Sequence, residues 1–149
     1  MATNYQIKIV ALWVVFLLGT LFHTQLGLMP LFHGLSVVES QKATNINEIS
    51  RIMWLMLGFF VLPMLAIIAT VFTDSRRYKA LHFGLTIIYS ILNFLHLVLD
   101  LLLPIVIWYQ ITLMVLLFLI GLLLNLVSFQ WMKASSRNHH SPERLPTAN

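Results

Sequence analysis

Six polar side chains, His82, Thr86, Tyr89, Asn93, His96 and Asp100, recur in steps of three and four residues along an otherwise apolar stretch. At about 100° per residue they fall within an arc of roughly 80°, so on a helix they form one stripe. Hydrocarbon cannot satisfy such groups. A charge or imidazole at membrane depth costs a few kcal/mol even on lenient scales, so the stripe must face other helices, a bound group or water.

A third histidine stands on another apolar segment. Gly19, His23 and Gly27 follow one another at i, i+4 and i+8, which places an imidazole between two positions that permit close approach. Counted from the basic boundary, His23 lies about 15 residues beyond Lys8 and His96 about 14 beyond His82. At 1.5 Å per residue both sit roughly 21–23 Å in, at one level. Asp100 is one turn above His96, and Arg51 enters on another segment near the same surface.

Three chemistries suit this constellation. The first is a non-covalent b-type haem with His23 and His96 as axial ligands. Diagonal helices of an up-down bundle are about 11–14 Å apart, the glycines beside His23 would admit a porphyrin edge, and Arg51 or Lys42 would meet propionates. The second is a divalent metal held by His96 and Asp100 with His23 or His33 completing the set, since ligating imidazole needs an oriented partner. The third is a proton or small-solute path along the stripe, which water or the fourth helix must bridge because the steps exceed hydrogen-bond reach. The plain alternative is packing: buried polar residues in membrane helices bond across helices for about 0.6 kcal/mol each. In that case Asp100 pairs with Arg51, and His82 belongs to the boundary beside Arg76 and Arg77.

The elements that must position these residues follow from composition. Of the 149 residues 59% are hydrophobic and 9% charged, against about a quarter charged in a soluble domain. Hydrocarbon about 30 Å thick needs around 20 apolar residues per helix. Four segments qualify, Ile7 to Leu28, Ile52 to Phe72, Ala80 to Leu103 and Ile105 to Trp131. The expected fold is an all-α, integral membrane, four-helix up-down bundle over residues 1–133, followed by a disordered polar cytoplasmic tail over 134–149.

The second and third spans, joined by the short basic loop Thr73 to Lys79, should be antiparallel neighbours. Leu101 to Pro104 should form the hairpin between the third and fourth spans, with Pro104 in a first helical turn. The connection from Met29 to Ser50 begins with apolar residues from Pro30, which suits a short interfacial helix, and Asn45 or Asn47 with Glu48 should cap the second span. Pro63 should kink that span. On the fourth, Gln110, Met114, Gly121, Asn125 and Ser128 share a side, with Gly121 leaving room for the Tyr89 phenol and Ser128 falling near His82.

Charge distribution sets an orientation. Lys8, Arg76, Arg77, Lys79, Lys133, Arg137 and Arg144 share one side, against Lys42 and Arg51 on the other, so seven against two puts both termini in the cytoplasm. In a bacterium the host would be the plasma, or inner, membrane. The apolar run after Lys8 is too long for a signal h-region and has no A-x-A-like site, so it reads as a retained span. The pI of about 9.8 therefore reports topology and not nucleic acid.

Absences narrow the chemistry. No cysteine is present, which removes disulfides, iron–sulfur ligation and covalent haem attachment. There is no H-E-x-x-H, no evident nucleophile and no catalytic carboxylate pair, so an enzymatic role would be redox work with a bound cofactor. Met53, Met56, Met64 and Met114 read as gap-fillers, and His139 and His140 as incidental. The sequence thus predicts a small multi-pass protein with an outer-half site of His23, Asn93, His96, Asp100 and Arg51 for haem, or of His96, Asp100, His23 and His33 for metal. Its partners are the lipid bilayer and a second membrane protein or copy. The alternatives are a non-catalytic scaffold or assembly partner, and a proton-coupled carrier.

Overall fold

A backbone in hydrocarbon has no water to bond, so its N–H and C=O groups must pair within the segment, and long apolar runs become helices. The computed structural model describes residues 2–37, 45–103 and 106–137. They form α1 (Ala2–Phe32), α2 (Ile46–Phe72), α3 (Arg76–Leu101) and α4 (Trp108–Arg137), and all four are long and apolar enough to cross a membrane.

Most helices overrun the spans expected from apolarity, because polar residues outside the hydrocarbon continue a helix where a cap permits. Asn45 caps α2, its Oδ1 accepting from the Asn47 N–H at 3.0 Å and its Nδ2 donating to Glu48 Oε1 at 2.9 Å. That moves the start from Ile52 back to Ile46. Ser75 likewise caps α3 and brings Arg76 to Lys79 into the helix.

Other expectations need correction. Pro30 does not open an interfacial helix; it lies in the last turn of α1, whose carbonyls are closed by His33, Gly34 and Leu35 N–H groups. Gly34, at φ +77°, ends the helix in the left-handed conformation that glycine adopts without strain. Residues 134–137, expected in the tail, extend α4 instead. The remainder of that tail, Lys42 and Pro104 lie outside the described residues.

Contacts between helices run in step. Gln6 Nε2 donates to the Thr70 carbonyl at 2.8 Å, Trp13 meets His82, Ser90 lies against Gly121, and the rings of His23 and His96 meet. The four helices therefore alternate in direction. The start of α1, the α2–α3 loop and the end of α4 share one end, the basic end; the end of α1, the start of α2, the end of α3 and the start of α4 lie at the far end.

α4 packs along both α1 and α3, and its Ile111, Met114, Leu117, Leu124 and Trp131 form much of the core. Gly19 accepts Leu117 where a methyl group would overlap it, which draws α1 and α4 together. α3 reaches α2 through two phenols. Pro63 removes the N–H that would bond the Phe59 carbonyl, and Tyr89 Oη donates to that carbonyl at 2.6 Å. Tyr78 Oη donates to the Ala66 carbonyl at 2.7 Å.

Burial inverts the pattern of a soluble domain. His82, Thr86, Ser90, Asn93, Thr70 and Ser128 are buried, while Leu, Ile and Phe side chains dominate the outer surface. With lipid as the surrounding solvent, that distribution is the favourable one.

Candidate functional site

The stripe on α3 passes through three environments. At the basic end, His82 is only 1% exposed and is enclosed by the rings of Trp13, Tyr78 and Trp131, with centroids 5.9–6.2 Å away. Trp13 Nε1 donates to His82 Nε2 at 2.9 Å. That bond assigns the lone pair to Nε2 and the proton to Nδ1 in the neutral ring. Lys79 is buried beside them, its Nζ 2.6 Å from Asp74 Oδ1 and 5.0 Å above the Trp131 ring. His82 is therefore part of an aromatic core and not of a solvated boundary with Arg76 and Arg77.

In the middle of the stripe the polar groups bind helices together. Tyr89 Oη donates to the Phe59 carbonyl and Asn125 Nδ2 to Ser90 Oγ at 2.9 Å, while Thr86 Oγ1 donates within α3 to the Phe83 carbonyl. Gly121 makes room for Ser90, whose Oγ would lie 3.0 Å from an added Cβ; the Tyr89 phenol goes elsewhere. Trp13, Phe16 and Tyr89 pack edge to face between the two ends of the stripe.

The far half is different. His23 on α1 and His96 on α3 meet with ring centroids 5.3 Å apart and planes at 85°. Asp100 reaches both imidazoles, with Oδ2 3.4 Å from His23 Nε2 and Oδ1 3.5 Å from His96 Nε2. His23 Nε2 and Asp100 Oδ2 are buried and have no hydrogen-bond partner. One ligand atom from each of the three residues lies within 4.8 Å of the others. His23 and Asp100 side chains are 12% and 17% exposed, and His96, on the outer side of the group, is 56% exposed.

Beside the imidazoles lies a cavity of about 60 Å³, lined by residues from all four helices including Phe16, Thr20, Phe59, Asn93 and Met114. Thr20 and Thr24 turn their hydroxyls back onto their own helix, donating to the Phe16 and Thr20 carbonyls. Asn93 Oδ1 is buried without a partner. The space suits one or two waters.

A haem does not fit this arrangement. The two rings touch edge to face, the cavity is far below the roughly 300 Å³ at which ligand pockets begin, and both glycine openings are filled, Gly19 by Leu117 and Gly27 by Gln110. Arg51, expected near propionates or Asp100, lies on the exposed side of α2, and Asp100 turns to the imidazoles. His33 is exposed in the turn after α1 and is not among the grouped ligands. The structure thus brings together His23, His96, Asp100 and the neighbouring Asn93, and leaves out Arg51 and His33.

The aromatic enclosure of His82 escaped the sequence analysis. Its available signal was the depth of Trp13, which the constant helical rise places about one turn from the level of His82, within reach of an indole. No protein-family model matches the chain, and neither a curated protein nor a solved structure shows significant similarity to it.

Proposed function

We propose that this small membrane protein holds a divalent transition-metal ion in the half of the bundle away from its termini, with His23, His96 and Asp100 as ligands. The single observation that carries this reading is the convergence of three ligand atoms within 4.8 Å, two of them buried and unpartnered. The edges of a tetrahedral site with bonds of about 2.0–2.1 Å are roughly 3.3–3.4 Å long. One imidazole–carboxylate separation, 3.4 Å from His23 Nε2 to Asp100 Oδ2, matches that edge, and His96 Nε2 faces the other oxygen, Oδ1, at 3.5 Å. Two imidazoles and a carboxylate suit zinc or its neighbours in the first transition row better than calcium or magnesium.

Three protein ligands leave a further coordination position open, as in metal sites that exchange water or a small molecule. The cavity lined by His23, His96 and Asn93 supplies the adjoining space, and the Asn93 carbonyl oxygen would accept a hydrogen bond from a metal-bound water. With the basic end in the cytoplasm, as the seven-to-two charge distribution favours, the site lies within reach of the outer surface.

Metal analysis of detergent-purified protein tests the reading, followed by Zn²⁺ and Co²⁺ titration of the chelated sample. One ion per chain, lost in His23→Ala, His96→Ala and Asp100→Asn, is the expected result. A folded wild-type protein that takes up neither ion at micromolar concentration would overturn it.

A second reading, a membrane assembly partner whose polar residues set helix register, is favoured by the middle of the stripe, where Tyr89 and Asn125 bond across helices. Metal-free protein that co-purifies stoichiometrically with a larger complex would favour this reading over the first.

A further inference from the structure

Small residues on facing membrane helices ordinarily let the helices close together. α2 and α3 present Ala66, Ala69, Ala80 and Gly84 to one another, yet a slot of about 530 Å³ remains between them. Its walls are almost wholly apolar. A methyl group added at Gly84 would meet nothing within 4 Å, so the space is real at the glycine itself.

The width of the slot limits what can enter. Tyr78 and Tyr89 span from α3 to the α2 backbone by direct hydrogen bonds of 2.7 and 2.6 Å, so the helices stand one phenol apart. A helix with side chains is about 10–12 Å across and cannot insert. A single extended hydrocarbon chain can. The volume lies inside the roughly 300–1,000 Å³ range of small-molecule pockets.

Charge stands at one mouth. Leu81, Leu85 and Ile88 line the slot, and Arg77 precedes Leu81 by one helical turn, on the same face and exposed at the basic end. The neighbouring Lys79 is engaged by Asp74, which leaves Arg77 as the cation on this line.

We infer that the α2–α3 slot binds one acyl chain of an anionic phospholipid whose phosphate is held by Arg77. The site is separate from the proposed metal ligands and stands or falls without them.

The test is native mass spectrometry of the full chain in detergent, equilibrated with phosphatidylglycerol or phosphatidylcholine of matched chains. Wild type should retain one phosphatidylglycerol and about fivefold less phosphatidylcholine, the preference expected of one interfacial arginine. Arg77→Gln should reduce phosphatidylglycerol to the phosphatidylcholine level. Gly84→Leu, which fills the slot from α3, and Ala69→Leu, which fills it from α2, should each abolish retention of both lipids while metal content stays at the wild-type value. Equal retention in wild type and both filled variants would overturn the inference. So would an Arg77→Gln protein that keeps its lipid preference, or spontaneous disulfide dimers of Gly84→Cys in this otherwise cysteine-free chain, which would place a second copy at the slot.

Discussion

His82 and the His23–His96 pair are the same residue type, in one bundle and partly on one stripe, yet their surroundings differ in kind. At the basic end, Trp13 donates to the lone pair of His82, and three aromatic rings close around the imidazole. The unpartnered groups there include Trp131 Nε1 and His82 Nδ1, which carry protons and cannot bind a cation. In the far half the unpartnered atoms among the described residues are His23 Nε2, Asp100 Oδ2 and Asn93 Oδ1, the carboxylate and amide oxygens carrying lone pairs, with His23 and Asn93 lining one small cavity. Burial alone does not separate these histidines. What separates them is whether lone pairs are consumed by donors or left to converge.

The largest expected effect on stability falls at the basic end. Trp13→Ala removes a fully buried indole and the donor to His82, and should destabilise the bundle by about 3–5 kcal/mol in detergent unfolding, with metal uptake by the remaining folded protein unchanged. A loss of metal without loss of stability would erase the distinction between the two halves.

His23→Ala or Asp100→Asn should act in the opposite sense. Removal of one of three ligands should weaken Zn²⁺ or Co²⁺ binding by about 100-fold, roughly 2.7 kcal/mol, in competition titrations. For the isosteric Asp100→Asn the apo protein should melt near the wild-type temperature, because the contact it weakens, from Oδ2 to His23 Nε2, is long at 3.4 Å. Asn93→Leu should leave one ion bound but alter the Co²⁺ d–d spectrum and its response to added azide. An unchanged spectrum and azide response would remove Asn93 from the metal's surroundings.

Smaller effects sharpen the picture of the middle region. Tyr89→Phe should cost about 1–3 kcal/mol by leaving the Phe59 carbonyl unsatisfied, and Pro63→Ala should relieve part of that loss by restoring the helical N–H. Additive effects in the double variant would mean that the phenol serves some other contact. Asn125→Leu should lower stability by only about 0.6 kcal/mol, measured in the same unfolding assay.

Element type and register were largely legible in the residues. Apolar runs long enough for hydrocarbon force helices, and the polar line from His82 to Asp100 had to turn inward, because both follow from the cost of polar groups in lipid. Equal depth of His23 and His96 followed from the constant helical rise. Helix ends were less legible, since Asn45 and Ser75 decide them through single hydrogen bonds that hydropathy does not register.

Sequence alone therefore determined that four helices would form and that their polar faces would point at one another, since solvation in lipid acts on each segment independently. Tertiary structure decided which polar atoms find partners. Whether Gly19 receives a porphyrin or Leu117, whether Asp100 turns to Arg51 or to two imidazoles, and whether Tyr89 meets Gly121 or the carbonyl freed by Pro63 depend on helix rotation and spacing. Those are set by packing among residues distant in the chain, a collective balance that no local pattern encodes.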